Sequence, residues 1–119
     1  MNIQDFYCVI GEDYDSFYNR LPDQDSITSF VKKFSEDDSF EKLAQSVTDK
    51  DYKSAFQYAL TLKGIALNLS FRKLAEASGK LADYLKDNSH PDGETVRNLM
   101  RKTGEIYTDI IVSIQQNAL

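Results

Sequence analysis

Apolar residues recur with a helical period along nearly the whole chain, and no alternating run of strand length is present. The period predicts helices over 3–10, 26–34, 39–48, 50–69, 70–87 and about 94–116. The stretch from Ser16 to Pro22 is predicted to be irregular or a single turn, and 87–93 to be a loop. Short connections between the four longer helices favour an all-α fold, an antiparallel four-helix bundle flanked by short N-terminal helices.

Residues that commonly cap helices stand before several of these segments. Asp25 or Ser26 is expected to cap the helix that carries Ile27, Phe30, Val31 and Phe34 on one face. Asp38, with Glu41 three residues later, has the pattern of a capping pair. Asp49 is expected to cap the helix over 50–69, and Ser70 or Phe71 to start the next one.

The helix predicted over 50–69 has apolar residues on two faces. A core stripe is formed by Tyr52, Ala55, Tyr58, Ala59, Leu62, Ile65, Ala66 and Leu69. Leu60, Gly64 and Leu67 lie about 150° from it in projection, with Phe56 and Lys63 at the border. We call these five residues the outer face. Such a helix either is buried on both sides or presents one side to a partner.

Gly64 lies inside the outer face and costs about 1 kcal/mol of helix stability relative to alanine. A glycine within a helix often marks a place where another group approaches the backbone. Two interpretations of the outer face remain open at this point. The N-terminal helices cover Leu60 and Leu67, or these leucines belong to a surface on which a partner docks.

Composition and charge narrow the class of protein. The 119 residues suffice for one domain over 1–119, and 41% hydrophobic with 28% charged residues is typical of a globular chain. The net charge of −5 and the absence of clustered basic residues disfavour nucleic acid as a partner. No apolar run reaches the roughly 18 residues of a membrane helix, and a lone Cys8 cannot form an internal disulfide. These features favour a cytoplasmic protein that does not bind membranes.

Candidate catalytic and metal-binding groups are few. The single His90 and the single Cys8 cannot build a zinc cluster, and no nucleophile motif surrounds the histidine. A run from Asp23 fails the calcium-loop pattern, because Thr28 and Phe34 occupy the positions that need glycine and glutamate. Cys8 is interpreted as a small buried apolar residue and His90 as a solvent-exposed loop residue. We therefore expect neither an enzyme nor a metal or other cofactor.

The run from Ala59 to Leu69, Ala-Leu-Thr-Leu-Lys-Gly-Ile-Ala-Leu-Asn-Leu, resembles the signature of histidine-containing phosphotransfer (HPt) domains. That family's core reads Ala-His-Thr-Leu-Lys-Gly, often followed by Asn-Leu-Gly. The resemblance extends to the segments 30–43, 51–56 and 74–81, and it covers residues 1 to about 117. It implies a four-helix bundle, often with an extra N-terminal helix, that serves two-component phosphorelay signalling.

The chain departs from the family at the residue that carries the chemistry. Leu60 stands at the position of the phosphorylated histidine and has no nitrogen that could accept a phosphoryl group. The resemblance assigns Lys63 to holding phosphoryl oxygens and Gly64 to making room for an incoming receiver domain. Ser70 replaces a usual glycine, a change expected to be mild and neutral. Ala82 falls near the place where the family often has a polar residue, commonly glutamine.

The resemblance and its departure together imply an HPt-like protein that does not relay phosphate. Its partner would be a response-regulator receiver domain, a hybrid histidine kinase or a related signalling protein. The docking residues would be Phe56, Leu60, Lys63, Gly64 and Leu67, and the protein is expected to be a monomer. Two alternatives stay open. The chain is a genuine phosphotransfer protein whose histidine has been replaced, or it is a structural or oligomerisation bundle that buries Leu60 and Leu67 in a self-contact.

Overall fold

The computed structural model describes residues 2–117 and 119, and these residues form seven helices and no strand. The helices are α1 (Ile3–Ile10), α2 (Tyr14–Arg20), α3 (Gln24–Phe34), α4 (Ser39–Thr48), α5 (Tyr52–Asn68), α6 (Arg72–Asp87) and α7 (Gly93–Gln116). The predicted all-α class is confirmed. Met1 and Ala118, which belong to the domain predicted over 1–119, lie outside the described residues.

The helices α4 to α7 form the main body. Helix α5 packs against α4 and α6, while α7 packs against α6 and also contacts α4 and α1. The core side chains of this body that are completely shielded from solvent include Leu43, Leu62, Leu74 and Leu81. Leu60 and Leu67 of α5 are exposed, so one side of this helix is not covered by the helices of the main body.

The N-terminal helix α1 is attached through aromatic side chains. Tyr7 is completely buried, and its ring centroid lies 5.7 Å from that of Phe71 and 6.4 Å from that of Phe17. Its hydroxyl donates a hydrogen bond of 2.6 Å to the Leu69 carbonyl oxygen. Burial raises the pKa of the Tyr7 hydroxyl, which keeps it protonated and able to donate. Helix α1 therefore lies beside the connection between α5 and α6, in agreement with the predicted flanking position.

Residues Tyr14–Arg20 form a helix of seven residues, so the prediction of an irregular segment or a single turn from Ser16 to Pro22 is wrong. The helix begins because an Asp13 carboxylate oxygen accepts a hydrogen bond of 3.3 Å from the Ser16 N–H. Its buried residue is Phe17, and a segment of seven residues with one buried position gives a weak periodic signal.

Two helices are capped by an aspartate other than the predicted residue. Asp23 caps α3 in place of the predicted Asp25 or Ser26. Its carboxylate accepts hydrogen bonds from the N–H groups of Asp25 and Ser26. Asp51, rather than Asp49, caps α5. Asp49 instead closes the end of α4, where its N–H donates to the Gln45 carbonyl at 2.9 Å.

The start of α4 also differs from the predicted capping pattern, whereas α6 begins at the predicted place. Asp38 occupies the N-cap position of α4 without a side-chain capping bond, and it pairs with Lys42 at 3.1 Å instead. The backbone N–H of Ser39, the first residue of α4, donates a hydrogen bond of 2.8 Å to the Asp37 carboxylate. Helix α6 begins after Phe71, which is fully buried and has no capping side chain.

Two side chains predicted to be buried are exposed. Phe30 is 47% exposed, although its predicted face-mates Ile27, Val31 and Phe34 are buried as expected. Cys8 lies on the exposed side of α1, whose buried residues are Ile3, Phe6 and Tyr7. Both residues stand at the edge of an apolar stripe, where a helical period alone does not decide burial.

Three helices end in the same left-handed turn. Gly11, Lys50 and Ser70 have φ values of 73°, 56° and 58°, and each N–H donates to the carbonyl three residues earlier. A residue with a side chain pays about 1–2 kcal/mol for this conformation, whereas glycine adopts it freely. Ser70, the departure expected to be neutral, is therefore a position where glycine would be less strained.

Replacing Lys50 by glycine should stabilise the protein. Lys50 is exposed and its side chain takes part in neither ion pair of the described residues. We expect Lys50→Gly to raise the free energy of unfolding by about 0.5–1 kcal/mol in urea titrations, because the strain exceeds the entropic cost of glycine. Gly11→Ala is the matched control and should lower it, since its Cβ would lie 2.8 Å from Lys73 Nζ at a φ of 73°. A loss of stability in Lys50→Gly would contradict this account.

Candidate functional site

Helix α5 is held in place by a core stripe of small and medium side chains. Ala55, Ala59, Leu62 and Ala66 are completely buried, so the predicted stripe is confirmed. The Asp51 carboxylate fixes the start of the helix by accepting from the Ser54 N–H at 3.2 Å. The Ser54 hydroxyl, and after it this N–H, stabilise the charged carboxylate and lower its pKa. Three alanines in the stripe let α4 and α6 approach α5 closely, which fixes the direction of its opposite side.

The outer face of α5 points to solvent. Leu60 is 41% exposed and Leu67 is 54% exposed, so the N-terminal helices do not cover these two leucines. Gly64 lies between them on the helix surface and is itself exposed. A Cβ on Gly64 would have no atom within 4 Å beyond its chain neighbours and the nearby helix backbone. The outer face is thus a pair of leucines with an open notch over the backbone between them.

Lys63 and Phe56 border this notch, and both are half-buried. Phe56 packs against the hydrophobic core. The aliphatic part of Lys63 crosses Gly79 of α6, and a Cβ on Gly79 would lie 3.3 Å from Lys63 Cδ and 3.6 Å from Lys63 Nζ. The buried Gly79 therefore creates the space that keeps Lys63 beside the outer face. Sequence reasoning missed Gly79, and its signal is the run of small residues Ala77-Ser78-Gly79.

Arg20 holds the C-terminal end of α5. Its Nη2 donates to the carbonyl oxygens of Leu67 and Asn68 at 3.4 and 3.1 Å, and to Ser70 Oγ at 2.6 Å. Its guanidinium also lies 5.2 Å from the ring centroid of Phe17. A positive charge at the C-terminus of a helix is favourable, because unpaired carbonyl oxygens collect there. No sequence pattern indicates this contact, because Arg20 lies in the segment predicted to be irregular or a single turn.

The polar groups around Leu60 offer little chemistry. Thr61 Oγ1 donates to the Gln57 carbonyl at 3.0 Å within the same helix. Ala82 is completely buried, so this position brings no polar atom to the outer face. His90 is exposed in the connection between α6 and α7, on neither of the two helices that meet at Lys63. The outer face can bind an apolar surface and place one ammonium group beside it.

Within residues 2–117 and 119, no cluster of three or more His, Cys, Asp or Glu side chains is placed to hold a metal ion. Among the same residues, no helix combines the length and the apolar character needed to cross a membrane.

Comparison of the chain with family models, with curated proteins and with solved structures finds no match.

Proposed function

We propose that this protein is an HPt-like helical bundle that binds a response-regulator receiver domain, or a hybrid histidine kinase, without relaying a phosphoryl group. The observation that carries the proposal is the outer face, where exposed Leu60 and Leu67 flank the open notch at Gly64. These residues fall inside the segment that resembles the HPt signature.

The connections between the helices support the proposed bundle. Three residues join α4 to α5, three join α5 to α6, and five join α6 to α7. Connections this short favour antiparallel neighbours. The proposed architecture is an antiparallel four-helix bundle of α4 to α7, and the contact of α4 with α7 is the one that closes such a bundle.

Docking and phosphoryl transfer have different physical requirements. Docking gains about 25 cal/mol for each Å² of apolar surface removed from water, so two exposed leucines favour it. Gly64 costs about 1 kcal/mol of helix stability relative to alanine. No neighbouring side chain of this protein comes close enough to require a glycine at this position. Close approach of another protein explains why the notch is there. Transfer needs a nucleophilic nitrogen, and leucine supplies none.

Self-association is the second candidate, because the same exposed leucines could cover those of a second copy. Sedimentation or light scattering of the protein alone measures its molar mass and separates the two candidates. A monomer at micromolar concentration favours the heterologous partner. A stable dimer whose interface contains Leu60 and Leu67 favours the structural role.

The direct test is a titration of the ¹⁵N-labelled protein with isolated receiver domains of the source cell, in unphosphorylated and phosphorylated forms. We expect the amide signals of Leu60, Gly64 and Leu67 to shift with at least one receiver domain. Amides on the exposed side of α7, such as those of Glu105 and Gln115, serve as the internal control and should stay in place. If no receiver domain shifts the outer-face signals, the proposed partner class is wrong.

The protein should acquire no acid-labile phosphoryl group from a phosphorylated receiver domain or a cognate kinase. Leu60→His should gain weak phosphorylation, because Lys63 and Gly64 remain while the polar residue expected near Ala82 is absent. Labelling with ³²P-phosphate measures the phosphoryl content of the unchanged protein and of Leu60→His. The double variant Leu60→His, His90→Gln should be labelled to the same extent as Leu60→His alone. Stoichiometric phosphohistidine at His90 of the unchanged chain would contradict the assignment. A natural gene that encodes histidine at position 60 would instead restore the alternative of a genuine phosphotransfer protein.

A further inference from the structure

A pocket separate from the outer face opens between α2, α3 and α5. It has a volume of about 440 Å³, which lies in the range of small-molecule sites. Its apolar lining consists of Phe17, Leu21, Phe30, Phe34, Ile65 and Leu69. Leu60, Gly64 and Leu67 do not line it, so its occupation is a separate question from receiver binding.

The half-exposed ring of Phe30 forms part of the wall of this pocket. Phe30 is 47% exposed, whereas Ile27, Val31 and Phe34 of the same helix are buried. An aromatic ring held at the mouth of a concave apolar surface leaves apolar area that a ligand can remove from water. The pocket therefore favours a ligand with an apolar body.

The charged groups at the rim indicate the head group of that ligand. Lys33 Nζ lies 5.7 Å from the ring centroid of Phe30, and Arg20 also lines the pocket. Asp37 is the acidic residue of the lining, and its carboxylate already accepts from the Ser39 N–H at 2.8 Å. Arg20 is bound to carbonyl oxygens of α5. Lys33 is in neither of the two ion pairs found among the described residues, so its ammonium remains for an anion.

We infer that this pocket binds a small amphiphilic monoanion, an aliphatic chain with one carboxylate, whose chain lies against Phe30 and Phe34 and whose carboxylate meets Lys33. Two cations and one acid in the lining give a net charge of +1, which matches one carboxylate better than a neutral or dianionic head group.

The probes are hexanoate, octanoate and decanoate, with octanol as the uncharged match for octanoate. Titration of the ¹⁵N-labelled protein should shift the amides of Leu21, Phe34 and Leu69. Each added methylene should raise the affinity about threefold to fourfold until the pocket is full. Octanoate should bind more tightly than octanol by about fivefold, which is the size of a partly exposed charge interaction.

Two variants test the assigned residues. Lys33→Gln should weaken octanoate about fivefold and leave octanol unchanged, while Lys32→Gln, its exposed neighbour outside the pocket, should change neither. Phe30→Ala should weaken all the probes about tenfold and leave the protein folded, with a small change in melting temperature, because its ring is half-exposed. The inference is overturned if octanoate does not bind, if octanol binds equally well, or if binding is the same in Phe30→Ala and Lys33→Gln as in the unchanged protein.

Discussion

Gly64→Arg should weaken receiver binding by at least about 30-fold, the size of effect expected at an interface hot spot. The new guanidinium would fill the notch between Leu60 and Leu67 and prevent close approach to the α5 backbone. The fold should be unaffected, because no other part of the chain lies within 4 Å of the position of the new Cβ. Arginine also has a higher helix propensity than glycine, so the melting temperature should stay the same or rise.

Three further variants make this result specific. Gln115→Arg adds the same charge at an exposed position of α7 and should leave binding unchanged. Leu60→Glu should weaken binding to a similar extent as Gly64→Arg. Gly64→Ala should raise the free energy of unfolding by about 1 kcal/mol, and any loss of affinity in it measures how closely the partner approaches the backbone. A fall in stability well beyond the roughly 0.5 kcal/mol of a surface change, in Gly64→Arg or Leu60→Glu, would show that the outer face is core.

Tyr7→Ala should destabilise the protein by about 3–5 kcal/mol, a large part of the 5–15 kcal/mol typical of a domain. The ring is completely buried between Phe6, Phe17 and Phe71, so its removal leaves a cavity at the α5–α6 connection. Tyr7→Phe keeps the ring but leaves the Leu69 carbonyl without its donor, which should cost about 1–3 kcal/mol. Urea unfolding measures both, with Tyr18→Phe on the exposed side of α2 as the control that should change little. Equal stability of Tyr7→Phe and the unchanged protein would mean that the hydrogen bond contributes nothing.

The same hydroxyl makes stability depend on alkaline pH. Burial raises the pKa of Tyr7 in the folded protein above the value of about 10 that it has when unfolded. The folded state therefore binds this proton more tightly, and the resulting stability is complete below about pH 10 and is lost as the pH rises above it. Tyr7→Phe should show a shallower loss of stability above pH 10. Burial also raises the pKa of Tyr14 and Tyr107, so part of the slope should remain.

The sequence was most informative where one physical requirement dominates. The buried stripe of α5 follows from the spacing of Ala55, Ala59, Leu62 and Ala66, since only one register places all four against neighbouring helices. The caps were harder to place because acidic residues alternate near the helix starts, as at Asp49 and Asp51. Either carboxylate suits the role, and the exit geometry of the preceding helix decides which one serves.

In the candidate site, too, some features follow from the helical period and others depend on how the helices pack. The exposure of Leu60 and Leu67 agrees with their projection away from the stripe, which needs only the helical period. The contact of Lys63 with Gly79 depends on how α6 is aligned along α5, and no local pattern encodes that alignment. The helical period groups Phe30 with the buried residues of α3, and only the packing of α2 and α5 shows that it borders a pocket.

The contacts of Tyr7 and Arg20 also bear on synthesis of the protein. Tyr7 binds a carbonyl oxygen 62 residues further along the chain, and Arg20 binds one 48 residues further along. The N-terminal helices therefore leave the ribosome long before the connection that they hold has been made. Until that connection emerges, the apolar rings of Tyr7 and Phe17 have no native surface on α5 or α6 to cover them, and they are available to chaperones.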